Sequence, residues 1–410
     1  MTSGGRTAST ARPRKRPADR RDVILLAAAR SFAQTGFHAS HLSEIADEAG
    51  ISAPALYRHF SGKYELFAAA LLSRAQGLAA AIADVPPDDD PRAELRAILR
   101  AAAGIAYDSR DTGNIYRREP RILQGEDRRQ LAALRAQSRN RLISLLRAFR
   151  PTLSETGASI LVTAILSIIA SPVTHRVKLA RRAAVDLLCN SADAILDLEL
   201  PEDAAADDPA GLAPLGKREA ILTESIRLFA EHGFHEVTME QIGGAVDLPP
   251  SGVYRHFPSK TAILVAALWR GSERTTSAIS SALSQATTPD EALDALARQY
   301  AGLCVSDPDI MTVYLRDMST LDPTERRALR RQQRLNVDEW ATWFQRVRPE
   351  TSPMAARFII HAALNACTDV TVGHPDADAE TVGAIAAAIL RSPTPPTDPT
   401  ASSRRRPASA

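Results

Sequence analysis

The feature that most constrains this chain is that it is written twice. Residues 21–71 align without a gap to residues 218–268 at a constant offset of 197, and eighteen of the 51 pairs are identical. Among them are Phe32/Phe229, Gly36/Gly233, Phe37/Phe234, His38/His235 and Ile45/Ile242. The run Tyr57-Arg58-His59-Phe60 returns whole as Tyr254-Arg255-His256-Phe257, and Lys63 returns as Lys260. Further on the repeat continues at an offset of 198, through Pro91/Pro289, Leu95/Leu293, Tyr116/Tyr314 and Arg150/Arg348. What is copied is therefore a two-part unit, and 410 residues give each copy enough chain for a core of its own.

The head of each unit reads as helices. Ile24, Leu25, Ala28 and Phe32 fall on one face at helical spacing over Arg21 to Gln34, and Gly36 ends that helix. Ser40 is expected to cap a second helix carrying Leu42, Ile45 and Ala46, which Gly50 closes. Ser52 caps a third, with Pro54 in its first turn, where a missing N–H costs little. Two short helices joined by a tight turn make a helix-turn-helix, whose second member enters the DNA major groove.

These residues resemble a known family. The pattern IAxxAGIS-xxx-LYRHF-xxK, following an amphipathic helix that ends F-A-x-x-G-F, is similar to the DNA-binding domain of TetR-type repressors. The tandem arrangement resembles the double-TetR repressors of actinobacteria, among them a mycobacterial repressor of a mammalian-cell-entry operon. The resemblance implies an all-α fold of two tandem TetR-like units, each a DNA-binding head plus a helical-bundle regulatory body. It implies that Tyr57, His59 and Lys63, with Tyr254, His256 and Lys260, hold DNA phosphates. Base reading then falls to Ser52, Ala53, Pro54, Ala55 and Arg58 in one head and to Pro249, Pro250, Ser251, Gly252 and Arg255 in the other. Arg58 and Arg255 suit either a guanine or a phosphate. Ser40, Ser43, Thr238 and Glu240 complete the candidate interface from the helix-two side.

The positioning residues are identical in the two heads while the reading residues differ, so two half-sites of different sequence are expected. The second head also departs from the pattern at Gly243-Gly244, at Asp247, where the turn glycine is expected, and at Pro249-Pro250. Net charge is only +2, so attraction to DNA must be local. Residues 1–71 hold ten Lys/Arg against six Asp/Glu, and residues 215–268 hold five against six, which gives the first head the larger salt-dependent share.

The expected division is a disordered basic arm over 1–18, heads over 19–72 and 215–269, and bodies over 73–198 and 270–391. An acidic Pro/Ala-rich linker over 199–214 and a disordered tail over 392–410 complete it. One chain then holds two heads and two bodies, and the apolar run Ala158–Ala170 has Met354–Val370 as its mate in cis. A monomeric pseudo-dimer follows, one chain to one two-half-site operator. At 13 residues that run is expected to be a bundle helix rather than a membrane span. The start of the chain has no apolar core of a signal peptide, and the reading is cytoplasmic.

By family, a body is a sensor for a hydrophobic small molecule, and Tyr300, Tyr314, Trp340, Trp343 and His361, with Tyr107 and Tyr116 in the first body, are the candidate effector-pocket residues. The arginines of 110–150 read mostly as solvated helix faces. The cysteines Cys189, Cys304 and Cys367 are scattered and form no CxxC, and no P-loop, GxSxG or HExxH occurs. Hence no metal, no cofactor and no enzyme is expected; an activator or architectural protein without a ligand is the alternative to a repressor, and a helical enzyme the remote one.

Overall fold

The computed structural model describes residues 20–113, 115, 120–201 and 216–394. The arm over 1–18, Tyr116, most of the linker and most of the tail lie outside them. The described residues contain helices and no strand, in two tandem TetR-like units.

In the first unit α1 spans Arg20–Ala39, α2 Leu42–Glu48, α3 Ala53–Tyr57 and α4 Lys63–Ala83. Helix α1 runs longer than the sequence pattern indicates because helical turns resume after Gly36, where φ of 82° breaks the ladder. The body follows as α5 (Pro91–Asp108), α6 (Gly125–Phe149), α7 (Glu155–Ala170) and α8 (Arg181–Leu196). The second unit repeats the order: α9 (Lys217–His232), α10 (Met239–Ala245), α11 (Pro250–Tyr254) and α12 (Lys260–Gln285) lead into its body. That body comprises α13 (Pro289–Ser306), α14 (Pro308–Arg316), α15 (Pro323–Val347), α16 (Pro353–Gly373) and α17 (Ala379–Arg391).

The two bodies pack on each other through α7 and α8 of the first unit and α16 and α17 of the second. Polar pairs sit within that four-helix contact. Ser167 Oγ donates to Asp369 at 2.5 Å, Thr163 meets His374 Nε2 at 2.9 Å, and Asn365 Nδ2 donates to Thr174 at 2.9 Å. At the far edge Asn190 Nδ2 donates to the Pro393 carbonyl at 2.9 Å. Side chains of Ile160, Leu161, Ile168, Phe358, Ile359 and Val370 are buried among them. Each fully buried Leu, Ile or Phe contributes about 1.5–3 kcal/mol by leaving water, so apolar burial rather than the polar pairs holds the bodies together.

Cores are shared unequally. The second head and both bodies form one continuous apolar cluster. The first head has a separate one, built on Ile24, Phe32, Leu56, Phe60 and Phe67 and reaching Leu123 and Leu131 of its own body.

Among the described residues, two helical stretches are long and apolar enough to cross a bilayer, Lys63–Ala83 and Glu155–Val173. The second corrects the 13-residue estimate, because the helix begins before Ala158 and a 3-10 turn carries it on to Val173. Two-thirds of its apolar window is packed inside the protein, as in a core helix. Several arginines of 110–150 also differ from the solvated reading. Arg141 binds the carboxylate of Glu94 at 2.7 Å and the Val85 carbonyl at 2.8 Å, tying α6 to the end of α4.

Candidate nucleic-acid interface

Each head presents one exposed ridge. Ser52 accepts the Ala55 N–H at 3.3 Å and so starts α3, and the helix places Leu56 inward and Tyr57 outward. Tyr57 is 55 % exposed and Tyr254 51 %, unusual for large rings without a partner. Arg58 and His59, and Arg255 and His256, are exposed beside them, while Phe60 and Phe257 turn into the core. Ser43, Ser52 and Pro54 are exposed on the same head, with Ala53 and Ala55 half-buried. In the other, Thr238, Glu240, Pro249 and Ser251 are exposed and Pro250 is half-buried. The chemistry available is a stripe of hydroxyl, guanidinium and imidazole donors at one end of a short helix, the groups that hold phosphate oxygens.

Four candidates are placed otherwise than the sequence suggests. Ser40 does not cap α2. Only 1 % exposed, it donates to the Gly36 carbonyl at 2.7 Å and bonds the Thr35 hydroxyl at 2.7 Å, closing the end of α1. The cap position of α2 is His41, which makes no side-chain cap bond. Gly252 is buried against Leu248 and cannot face a groove. Lys63 and Lys260 do begin their helices, but each folds back over the preceding turn. Lys63 Nζ donates to the His38 carbonyl at 3.0 Å above the Phe37 ring. Lys260 Nζ donates to the carbonyls of Phe234, His235 and Val237 at 2.7, 3.2 and 2.6 Å above the Phe234 ring. Burial pulls both ammonium pKa values down.

The second head is better built than its departures suggest. Thr238 accepts the Gln241 N–H at 3.2 Å and Gln241 Oε1 accepts the Thr238 N–H at 2.7 Å, a capping box that the first head lacks. Gly243 lies so close to the Leu248 carbonyl that a Cβ would stand 2.5 Å from it, and Leu248 N donates to Gly243 O at 2.9 Å. Asp247 takes the left-handed turn with φ of 55°, where the first head uses Gly50 at 67°.

Sequence reasoning missed a direct contact between the heads. His38 and His235, the same position in the two copies, meet with ring centroids 4.2 Å apart and their planes tilted by 32°. The signal was present as an identical Gly-Phe-His run at a pseudo-symmetric turn. Burial, the neighbouring His38 and Lys260 lower the His235 pKa.

The effector candidates are dispersed. Tyr300 and Trp340 meet edge to face at 6.1 Å, and both are buried. Tyr314 is buried and packs against Gly271. Trp343 is half-buried, its Nε1 donating to Glu339 at 2.9 Å. His361 stacks on His175 of the first body at 4.4 Å. Tyr107 accepts the Leu179 N–H at 3.2 Å. The free cysteines Cys189, Cys304 and Cys367 are buried, and the described residues hold no group of three or more metal-ligating side chains.

Residues 24–70 and 221–267 each match the family of bacterial regulatory proteins, tetR family. Over 84 residues the chain is 40 % identical to the HTH-type transcriptional activator FasR of Mycolicibacterium smegmatis, an alignment covering 20 % of this chain and 38 % of that protein. The chain thus spans under two-fifths of that curated relative's length. Among solved structures, the TetR family regulator PfmR from Thermus thermophilus aligns with a TM-score of 0.39 and 27 % identity, covering 44 % of this chain and 97 % of its own. A TetR-like regulator from a Rhodococcus species aligns with a TM-score of 0.35 and 29 % identity, covering 44 % and 96 %.

Proposed function

We propose, from two heads that match the tetR family of bacterial regulatory proteins, that this chain is a cytoplasmic, sequence-specific double-stranded DNA-binding transcriptional repressor. One chain acts as an intramolecular pseudo-dimer on a non-palindromic operator, and a hydrophobic small molecule bound in a body releases it. The observation that carries the reading is the duplicated exposed ridge Tyr57-Arg58-His59 and Tyr254-Arg255-His256 on heads whose bodies pack together in cis. Two half-sites on one duplex need two heads at fixed separation, and a single chain supplies them. The reading residues differ, Ser52, Ala53, Pro54 and Ala55 in one head and Pro249, Pro250 and Ser251 in the other, so nothing in the protein demands a palindrome. Tandem architecture keeps the chain near the double-TetR repressors of actinobacteria.

Light scattering on the complex with a minimal single site tests the stoichiometry. One chain per duplex is expected, and two chains per duplex would sink the pseudo-dimer. Selection from random DNA is expected to return an asymmetric site. A second reading, activation, is favoured by the relative FasR, which is named as an activator. A reporter carrying the selected site separates the two: deleting the site raises expression under a repressor and lowers it under an activator.

A further inference from the structure

Between the two heads and beneath both bodies lies a cleft of about 1660 Å³. Six guanidinium groups border it: Arg121, Arg128, Arg135 and Arg139 from the first body, Arg316 and Arg326 from the second. Arg128, Arg135 and Arg139 are spaced by seven and four residues along α6 and so share one face of that helix. The carboxylates on the same walls are Glu231, Glu236 and Asp317, half as many as the arginines. His38, His232 and His235 also line the cleft.

Backbone carbonyls fix two of these arginines, Arg121 and Arg128, and Arg121 also feels the charge of Asp317. Arg121 Nη2 donates to the Ala230 carbonyl at 2.7 Å, and Arg128 donates to the carbonyls of Leu123 and Arg121 at 2.8 and 3.0 Å. Carbonyl acceptors hold a guanidinium in place but carry no net charge to cancel it. Burial lowers the Arg121 pKa, as expected of a cation short of solvent. Phe37 and Phe234, again one position in two copies, add apolar rings to the same walls. A confined surplus of positive charge raises the local concentration of anions, and planar guanidinium groups suit phosphate oxygens.

We propose that this cleft binds a multiply charged, phosphorylated small molecule of about nucleotide size, at a site separate from the DNA-facing ridges. It is also separate from the body interior assigned to a hydrophobic effector, so its failure would leave that reading standing. The space exceeds the roughly 300–1,000 Å³ of an ordinary drug-sized pocket, which suits a ligand that bridges two units rather than one sunk within a single core.

The test is calorimetric titration of inorganic tripolyphosphate into the full chain. One saturable site per chain is expected. The double variant R135E/R139E should weaken it at least tenfold, and the exposed single change Arg139→Ala about threefold, which keeps the idea testable if the double variant fails to fold. Arg129→Glu, at an exposed arginine of α6 paired with Glu126, should leave it unchanged. The head variant R58E/R255E should also bind tripolyphosphate within twofold of the parent. Absence of a saturable site, or loss in R58E/R255E with retention in R135E/R139E, would overturn the proposal, the latter by placing the anion on the DNA ridges.

Discussion

At the scale of single residues, the two lysines that look interchangeable in sequence are not. An ammonium has three N–H donors. Lys260 commits all three to carbonyls of its own head, whereas Lys63 makes one such bond. Two crossed outcomes follow. Lys63→Ala should cost more DNA affinity at every sequence and reduce the log–log salt slope by about one. Lys260→Ala should cost more stability, about 1–3 kcal/mol for lost bonds from a charged donor, read as a lower urea midpoint with little change in salt slope. Equal salt slopes in the two variants would remove the distinction. Trp340, only 1 % exposed, sets a further limit: Trp340→Ala should lose about 3–5 kcal/mol of stability. Effector response is therefore better probed at half-buried Trp343.

Helix α10 and its turn show what an element demands of its sequence. Gly243 and Gly244 read alike as helix-weakening residues, yet only one is required. A Cβ at 243 would collide with the Leu248 carbonyl, while nothing lies within 4 Å of one at 244. Gly244→Ala should therefore stabilise the second head by roughly 0.5–1 kcal/mol, Gly243→Ala should destabilise it, and Asp247→Gly should relieve the left-handed turn by about 1 kcal/mol. Thermal midpoints of the three variants check the signs. Helix positions and the duplicated turn were legible in the sequence because they follow from periodicity and local caps. Ser40 was misassigned because a serine ahead of a helix serves equally to close the one before it, and only the placement of Thr35 and Gly36 decides. The contact of His38 with His235 and the folding back of the lysines depend on how distant segments meet, which no local pattern encodes.

Across the whole molecule, the contact between bodies carries a pH response. His175 and His361 stack between them, with an interplanar angle of 19°. Desolvation holds both imidazoles neutral, His361 at about 4 despite the opposing pull of Asp338, and His175 well below its usual range with His361 adding to the effect. The folded pKa lies below the unfolded value near 6.5, so stability is whole above pH 6.5 and is lost as pH falls from there towards 4, where the unfolded chain takes up protons the folded one refuses. About 2 kcal/mol should go by pH 5 for His361 alone, and His361→Leu should flatten that part of the curve of urea midpoint against pH. An unchanged slope in the variant would assign the acid sensitivity elsewhere. The same contact joins α7 and α8 to α16 and α17 of one polypeptide, so its formation is unimolecular. A tethered partner is present at an effective concentration on the order of millimolar, whatever the amount of protein in the cell. Under the proposed one-chain-per-operator reading, dilution that would dissociate a pair of separate chains should leave this pair intact, and occupancy of the operator should rise in simple proportion to copy number rather than to its square.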